Sequence, residues 1–387
     1  MNIIFATPSP FPFYSGGVET WMNNVIKRLA SDHEITVLAP SYHKMGLVFK
    51  DLPQNVKFVN YGCLMDYPII RLFLRGPFRV LDNFYRQHTL KRALRSLVCD
   101  GRRAYVFSVD PIFVGPAVLK VRKKFENIRF VTSIRGPHLE IISKSFPLFK
   151  SVFKRNERHS VEECDMVVVN GYDSKDLYER KYNVKTNVLK NGVDYKKIIN
   201  ETTDSAEEIN ENENSILSVA TLIPIKGVYD LVDAAAAYKK KYGTDFLIYF
   251  IGKGNADKLK SYARDKGVDS NIILLGHRDY PVPYMKKTKI NACVSGGGGF
   301  SMSMLEAMAS GKPVVAIDTP LYRQFNKYKN IPMVPEKNPE ALADCFHDVF
   351  SDYERFLKDT ILSQKMASEF DWPIICQSLI KYLESIE

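Results

Sequence analysis

A single run, Gly296-Gly-Gly-Gly-Phe-Ser-Met-Ser-Met-Leu-Glu-Ala-Met-Ala-Ser-Gly-Lys-Pro-Val-Val-Ala316, narrows what this chain can fold into more than any other. Four consecutive glycines, Gly296 to Gly299, bring bare backbone close to a neighbour. The helix that follows offers unpaired N–H groups and a positive dipole end, which suits a phosphate. Glu306 lies about one turn inside that helix, where a carboxylate reaches past a phosphate to sugar hydroxyls. Gly311-Lys-Pro ends the helix, and Pro313–Ile317 is a short apolar run of the buried parallel-strand kind. Loop, helix and strand in this order fit a nucleotide-sugar diphosphate site. The competing reading is structural, because Ser303-Met-Leu-Glu306 matches a helix capping box that needs no ligand.

The rest of the chain alternates in the same way. Expected strands in the first half are Ile3–Ala6, Ile35–Ala39, Val56–Asn60, Tyr105–Val109, Arg129–Ser133, Met166–Asn170 and Asn187–Leu189. Expected helices are Val18–Ser31, Arg79–Val98, Pro111–Phe125, Pro147–Glu163 and Ser174–Tyr182. The rhythm restarts with Ile216–Ala220, helix Gly227–Tyr242, Phe246–Gly252, helix Asn255–Lys266, Ile272–Leu275 and Ile290–Val294. Such alternation implies an α/β fold of doubly wound parallel sheets, here two Rossmann-like domains. We place the domains at 1–195 and 215–372, with a polar loop, 196–214, near the hinge. That loop is rich in Asn, Glu and Thr and reads as surface. Helical segments run from Glu340 to the terminus, and 373–387 is expected to cross back to the first domain.

A length of 387 residues suits two domains, and 45% hydrophobic with 25% charged residues is ordinary for a globular protein. No apolar run reaches membrane-spanning length, and Met1-Asn-Ile-Ile-Phe-Ala reads as a first strand rather than a signal peptide. Six scattered cysteines without a Cys-x-x-Cys pair are expected to be reduced core residues in a cytoplasmic protein. The net charge of +10 is uneven: residues 1–190 hold 30 Lys/Arg against 17 Asp/Glu. Within Tyr67–Arg103, nine basic residues meet only Asp82 and Asp100, with Phe, Leu and Ile interleaved. That pattern suits an anionic inner-leaflet membrane surface and a peripheral location. It equally suits a helix with one core face and one solvated face. No recognition motif supports nucleic acid as a partner.

The Gly296–Ala316 run resembles the C-terminal signature of glycosyltransferase family 4, in which a Glu-Gly-Phe-Gly loop precedes Leu-Glu-Ala-Met-Ala and Gly-x-Pro-Val-Val-Ala. The match is nearly residue for residue from Leu305 to Ala316. Gly298 stands where that family has the first of two glutamates, and Ser301 where it has a second loop glycine. The resemblance implies the GT-B arrangement, two Rossmann-like domains facing across a cleft. It also implies that Gly298, Gly299, Phe300, Ser301, Met302 and Glu306 bind the donor. Ser15-Gly-Gly-Val-Glu19 is similar to the family's Gly-Gly-x-Glu loop, which carries Gly16 and Gly17 to the donor diphosphate. The alternative for those glycines is a plain tight turn. Thr221-Leu-Ile-Pro-Ile-Lys226-Gly227 resembles the family's Gly-Arg-Leu…Lys-Gly segment, with Thr221 in place of the arginine. Lys226, at a helix N-terminus, gains from an anionic neighbour such as a diphosphate, and a solvated lysine is the plainer alternative. Arg135, in Arg135-Gly136, stands where many relatives have His-Gly; it and His138 are acceptor-side candidates, Arg135 also a catalytic one. Lys190-Asn-Gly-Val-Asp194 matches a family turn at the domain junction.

No Asp-x-Asp or His-Glu-x-x-His motif occurs, so no catalytic metal and no cofactor are expected beyond the nucleotide-diphosphate sugar as co-substrate. The resemblance then implies a hexosyltransferase that retains configuration, with Glu306, Lys226 and Arg135 as its catalytic groups. Its partners would be the nucleotide sugar and a glycan or lipid-linked oligosaccharide acceptor. The losses at 221 and 298 keep a second class open, a non-catalytic relative acting as a stabilising subunit. A nicotinamide oxidoreductase fails for want of a Gly-x-Gly-x-x-Gly fingerprint.

Overall fold

The computed structural model describes residues 1–9, 11, 17–41, 52–64, 79–136, 138–211, 213–296 and 300–387. The chain divides into two compact units, Met1–Lys190 with Pro373–Glu387, and Asn191–Trp372. The division thus falls a few residues before 195, and the polar loop belongs to the second unit.

In the first unit, seven strands form one parallel sheet: β1 Asn2–Ala6, β2 Glu34–Pro40, β3 Lys57–Tyr61, β4 Ala104–Ser108, β5 Ile128–Ile134, β6 Met166–Val169 and β7 Thr186–Val188. Their order is β3-β2-β1-β4-β5-β6-β7. The central strands are apolar on both faces, so both faces must be covered by helices. On one face Phe5 and Phe107 pack against Trp21 of helix Gly17–Leu29, at ring separations of 6.4 and 5.5 Å. On the other, Ile4, Val106 and Phe130 meet Leu90 and Leu94 of helix Arg79–Val98.

The second unit repeats the plan with β8 Ser215–Val219, β9 Leu247–Ile251, β10 Ile272–Gly276, β11 Ile290–Cys293, β12 Val314–Ile317 and β13 Met333–Val334. All pairs are parallel, in the order β10-β9-β8-β11-β12-β13. Strand order reverses between β8 and β11, the position at which open α/β sheets bind ligands.

The chain passes between units twice, and the two crossing points adjoin one another. Val193 bridges to Asp371, and the Trp372 N–H donates to the Val193 carbonyl at 3.2 Å. A Cβ at position 192 would come within 2.4 Å of the Trp372 ring, so Gly192 is required there. From Trp372 the helix Trp372–Glu384 runs on as part of the first unit, burying Leu379 and Leu383. The Tyr382 hydroxyl donates to the Val188 carbonyl at 3.1 Å, and Arg129 Nε to the Ile386 carbonyl at 2.9 Å.

Expected elements lie within one or two residues of those observed, with informative exceptions. The helix expected at Pro111–Phe125 is Gly115–Arg122, because the Asp110 carboxylate accepts the N–H groups of Ile112, Phe113 and Val114 in a preceding turn. The expected Pro147–Glu163 helix splits into a 3-10 turn, Pro147–Phe149, and helix Lys150–Glu162. The polar loop is not wholly surface, since Ala206 and Ile209 are buried in the second unit's core. Cys99 is exposed rather than part of a core. Of the basic stretch Tyr67–Arg103, residues 67–78 lie outside the described residues. The remainder is largely a helix with a core face, and Arg86 is tied to Asp82 at 2.6 Å and to the Pro8 carbonyl at 3.0 Å. Among the described residues no helix is long and apolar enough to cross a membrane.

Leu379→Ala is expected to destabilise the first unit by about 2–5 kcal/mol, the cost of truncating a fully buried leucine. Urea unfolding reads this directly; an unchanged transition would mean that the last helix is not integral to that unit.

Candidate functional site

A cavity of about 260 Å³ opens where β8 and β11 end, at the reversal of strand order. One wall is the turn after β8. Leu222 N–H donates to the Lys253 carbonyl at 2.8 Å, and a 3-10 turn, Pro224–Lys226, carries the chain to helix Val228–Tyr242. Gly227 between them has φ +71°, and a Cβ there would stand 2.0 Å from the Val294 carbonyl oxygen. Only glycine allows this turn to lie against the end of β11. Thr221 sits exposed at the lip, and Lys226 lines the cavity half-buried. Burial lowers the Lys226 pKa, so its ammonium is less well solvated than a surface lysine's.

The facing wall is the start of helix Met302–Ala309. Gly296 N–H donates to the Ile225 carbonyl at 3.1 Å, which ties the first glycine to the Lys226 turn. Gly297 to Gly299 lie outside the described residues, and so does Gly16. Phe300 resumes the path as an anchor, its ring packed against Phe325 at 4.8 Å and Phe370 at 5.4 Å. The Phe300 carbonyl accepts from the Asn191 side-chain amide at 3.1 Å. Ser301 caps the helix, its Oγ accepting the Met304 N–H at 3.2 Å.

That cap corrects the capping-box reading. Ser301 rather than Ser303 is the N-cap, so the third helical position is Met304 and Glu306 takes no part in capping. Glu306 keeps some exposure as a residue, yet its carboxyl group is closely surrounded. Burial pushes its pKa up to about 7, so near neutral pH it both donates and accepts hydrogen bonds. It lies one turn beyond Met302 and Ser303 on the same helix and is not itself among the lining residues. Lys226 is the one charged side chain among the described lining residues. The start of helix Met302–Ala309 lies opposite, and a helix N-terminus facing a cation-lined cavity is an arrangement that suits an anion.

Thr221, Lys226, Phe300, Ser301 and Met302 therefore come together, with Glu306 a turn away. Gly17, Arg135 and His138 belong to the first unit, at the carboxyl edge of its sheet. Among the described residues no atom lies within 4 Å of a Cβ built on Gly17. Arg135 is buried, its guanidinium 3.5 Å from the Trp21 ring centroid and donating to the Leu189 carbonyl at 3.5 Å. Burial holds its pKa well below the usual arginine range. His138 opens helix His138–Ser145. Burial raises the pKa of nearby Asp110, and the His138 charge opposes that rise. Two contributors escaped the sequence reading. The Tyr322 hydroxyl lines the cavity and accepts the Ser295 N–H at 3.2 Å. Asn191, read as part of a hinge turn, holds the glycine run's far end.

Comparison with known proteins gives this geometry its class. Residues 15–197 match the model for Glycosyltransferase Family 4, and residues 199–365 that for Glycosyl transferases group 1. The chain is thus of the group 1/family 4 glycosyltransferase type, with the two-domain α/β GT-B fold. It is similar to the phosphatidyl-myo-inositol mannosyltransferase of Mycobacterium leprae, 25% identical over 167 residues that span 42% of this chain and 44% of that protein. It is also similar to the N-acetylgalactosamine-N,N'-diacetylbacillosaminyl-diphospho-undecaprenol 4-alpha-N-acetylgalactosaminyltransferase of Campylobacter jejuni. That match is 26% identical and covers 79% of this chain and 78% of that protein. In fold it resembles Anabaena Alr3699/HepE, solved in complex with UDP, with a TM-score of 0.76 at 17% identity over the whole of both chains.

A carboxyl whose pKa rises from 4.5 to about 7 on folding contributes stability below the lower value, lost as pH rises through the upper one. Glu306→Gln removes that dependence. Its thermal stability is expected to gain on the wild type by about 1–2 kcal/mol between pH 5 and pH 8, allowing for partial exposure. A pH-independent difference in melting would show that the carboxyl is not held in this environment. Lys226→Ala is expected to weaken nucleoside diphosphate binding about 10–100-fold, as for a charged hydrogen bond, and nucleoside binding little. Equal calorimetric losses for both ligands would point to collapse of the turn instead.

Proposed function

We propose that this protein transfers a hexose from a nucleotide-diphosphate sugar to a glycan acceptor, a lipid-linked surface polysaccharide, with retention of configuration and without a metal ion. The observation that carries the reading is the anion-ready cavity at the strand-order reversal, with Lys226 as its charged side chain and a helix start opposite. The similarity to enzymes named as mannosyl- and N-acetylgalactosaminyltransferases supports the same class of reaction.

On this reading the donor diphosphate lies between Lys226 and the start of helix Met302–Ala309. Charge developing on the departing phosphate is stabilised by the ammonium and by backbone dipoles already in place, the electrostatic route to rate enhancement. The acceptor hydroxyl attacks on the face the phosphate leaves, and the leaving phosphate oxygen takes its proton. Few protein acid–base groups are then needed, which fits a chain with Gly298 and Thr221 where the family resemblance implies Glu and Arg. Glu306 bonds ribose or sugar hydroxyls. Arg135 and His138 serve the acceptor. The proposed location is the cytoplasmic side of a membrane, peripheral to its anionic leaflet.

Calorimetric titration with UDP, GDP and ADP, followed by a sugar-nucleotide panel, tests the activity. One nucleotide should bind, and its sugar conjugate should be turned over in the presence of membrane glycolipid extract. Binding to none would sink the proposal. Gly298→Glu is expected to lower turnover; a gain would mean a degenerate site, and no change would place residue 298 outside it.

A further inference from the structure

The first unit carries a second cavity, of about 400 Å³, between helices His138–Ser145, Lys150–Glu162 and Tyr172–Tyr182. Leu139, Leu177 and Tyr178 supply its apolar lining, and four lysines, Lys144, Lys150, Lys154 and Lys181, outnumber the one carboxylate, Glu140, among its charges. Lys144 is paired with Glu140 at 2.7 Å and Lys181 with Glu157 at 2.8 Å. Among the described residues, Lys150 and Lys154 have no carboxylate partner. From Lys144 to Arg155 the sequence Lys-Ser-Phe-Pro-Leu-Phe-Lys-Ser-Val-Phe-Lys-Arg contains four cations and no acid. At its corner Leu148 is 89% exposed, and Leu177, at the cavity wall, is 54% exposed.

We infer that this corner is a docking face for an anionic lipid bilayer, with Leu148 entering the headgroup–acyl boundary and Lys150 and Lys154 meeting lipid phosphates. Charge complementarity selects an anionic partner, and the protruding leucine selects a bilayer over a dissolved anion. A soluble phosphate satisfies the lysines but leaves Leu148 in water, whereas an interface takes both. The inference rests on the membrane part of the proposed function and moves the contact from Tyr67–Arg103 to Lys144–Arg155. It has a geometric consequence. The eight-residue helix His138–Ser145, about 12 Å long, spans from His138 at the sheet edge to the docking corner. A lipid-linked acceptor held at the bilayer therefore has its glycan within a few sugar units of the acceptor-side residues.

The test is co-sedimentation of the full chain with vesicles of phosphatidylcholine alone or mixed equally with phosphatidylglycerol. Binding is expected only to the anionic vesicles, and to weaken as salt rises. Lys150→Ala with Lys154→Ala should lower the partition coefficient about tenfold or more. Leu148→Trp should give a blue-shifted emission on anionic vesicles. Failure of the wild type to bind anionic vesicles overturns the inference. So does wild-type binding by the double variant, which would locate the contact elsewhere. The same blue shift produced by inorganic phosphate without vesicles would make the face a soluble-anion site and also overturn it. UDP, GDP and ADP titrations of the wild type, set beside its own vesicle binding, separate the two proposals. Absent nucleotide binding with intact vesicle binding counts against the transferase reading alone, and the converse against the docking face alone.

Discussion

The approach of Gly227 to the Val294 carbonyl is the contact on which the second unit's cavity depends. It brings the turn after β8 against the end of β11, and the Gly296–Ile225 hydrogen bond extends that contact to the start of the glycine run. Lys226 stands immediately before Gly227 in this turn and lines the cavity. A β-carbon at 227 would require both a disfavoured backbone and an impossible overlap, so the wall and its cation move together or not at all.

Desolvation then sets the chemistry. Lys226 and Glu306 are both displaced from their ordinary pKa values by burial, in directions that favour their neutral forms. Each is therefore less stable in its charged form than it would be at the surface. In the first unit Arg135 is desolvated in the same sense, its buried guanidinium stacked on Trp21 and donating to the Leu189 carbonyl.

Much of the fold was legible in the sequence because parallel strands covered on both faces must be short apolar runs, and Ala104–Ser108 and Val314–Ile317 are just that. The run after the glycines, Ser301-Met-Ser-Met-Leu-Glu-Ala-Met-Ala, was legible as a helix, and the structure has it at Met302–Ala309. What could not be read was register and partnership. Ser303 matched a capping box, yet Ser301 is the cap, next to Phe300, whose ring packs on Phe325 and Phe370. Tyr322 and Asn191 act through partners 27 and 109 residues away, and no local pattern reports such contacts. Ile209 looked incidental in a polar loop because one apolar residue makes no periodicity, yet it is buried.

The exposed position of Thr221 matters to anyone wishing to reshape the cavity. Its neighbours are fixed by backbone demands, Gly227 by its dihedral and Phe300 by its aromatic cluster, so variation there costs the fold itself. Thr221 is exposed at the lip of the same cavity that Lys226 lines. Libraries aimed at new ligand preferences would concentrate their diversity at that one residue, where changes in charge and volume reach the cavity mouth while leaving the scaffold intact.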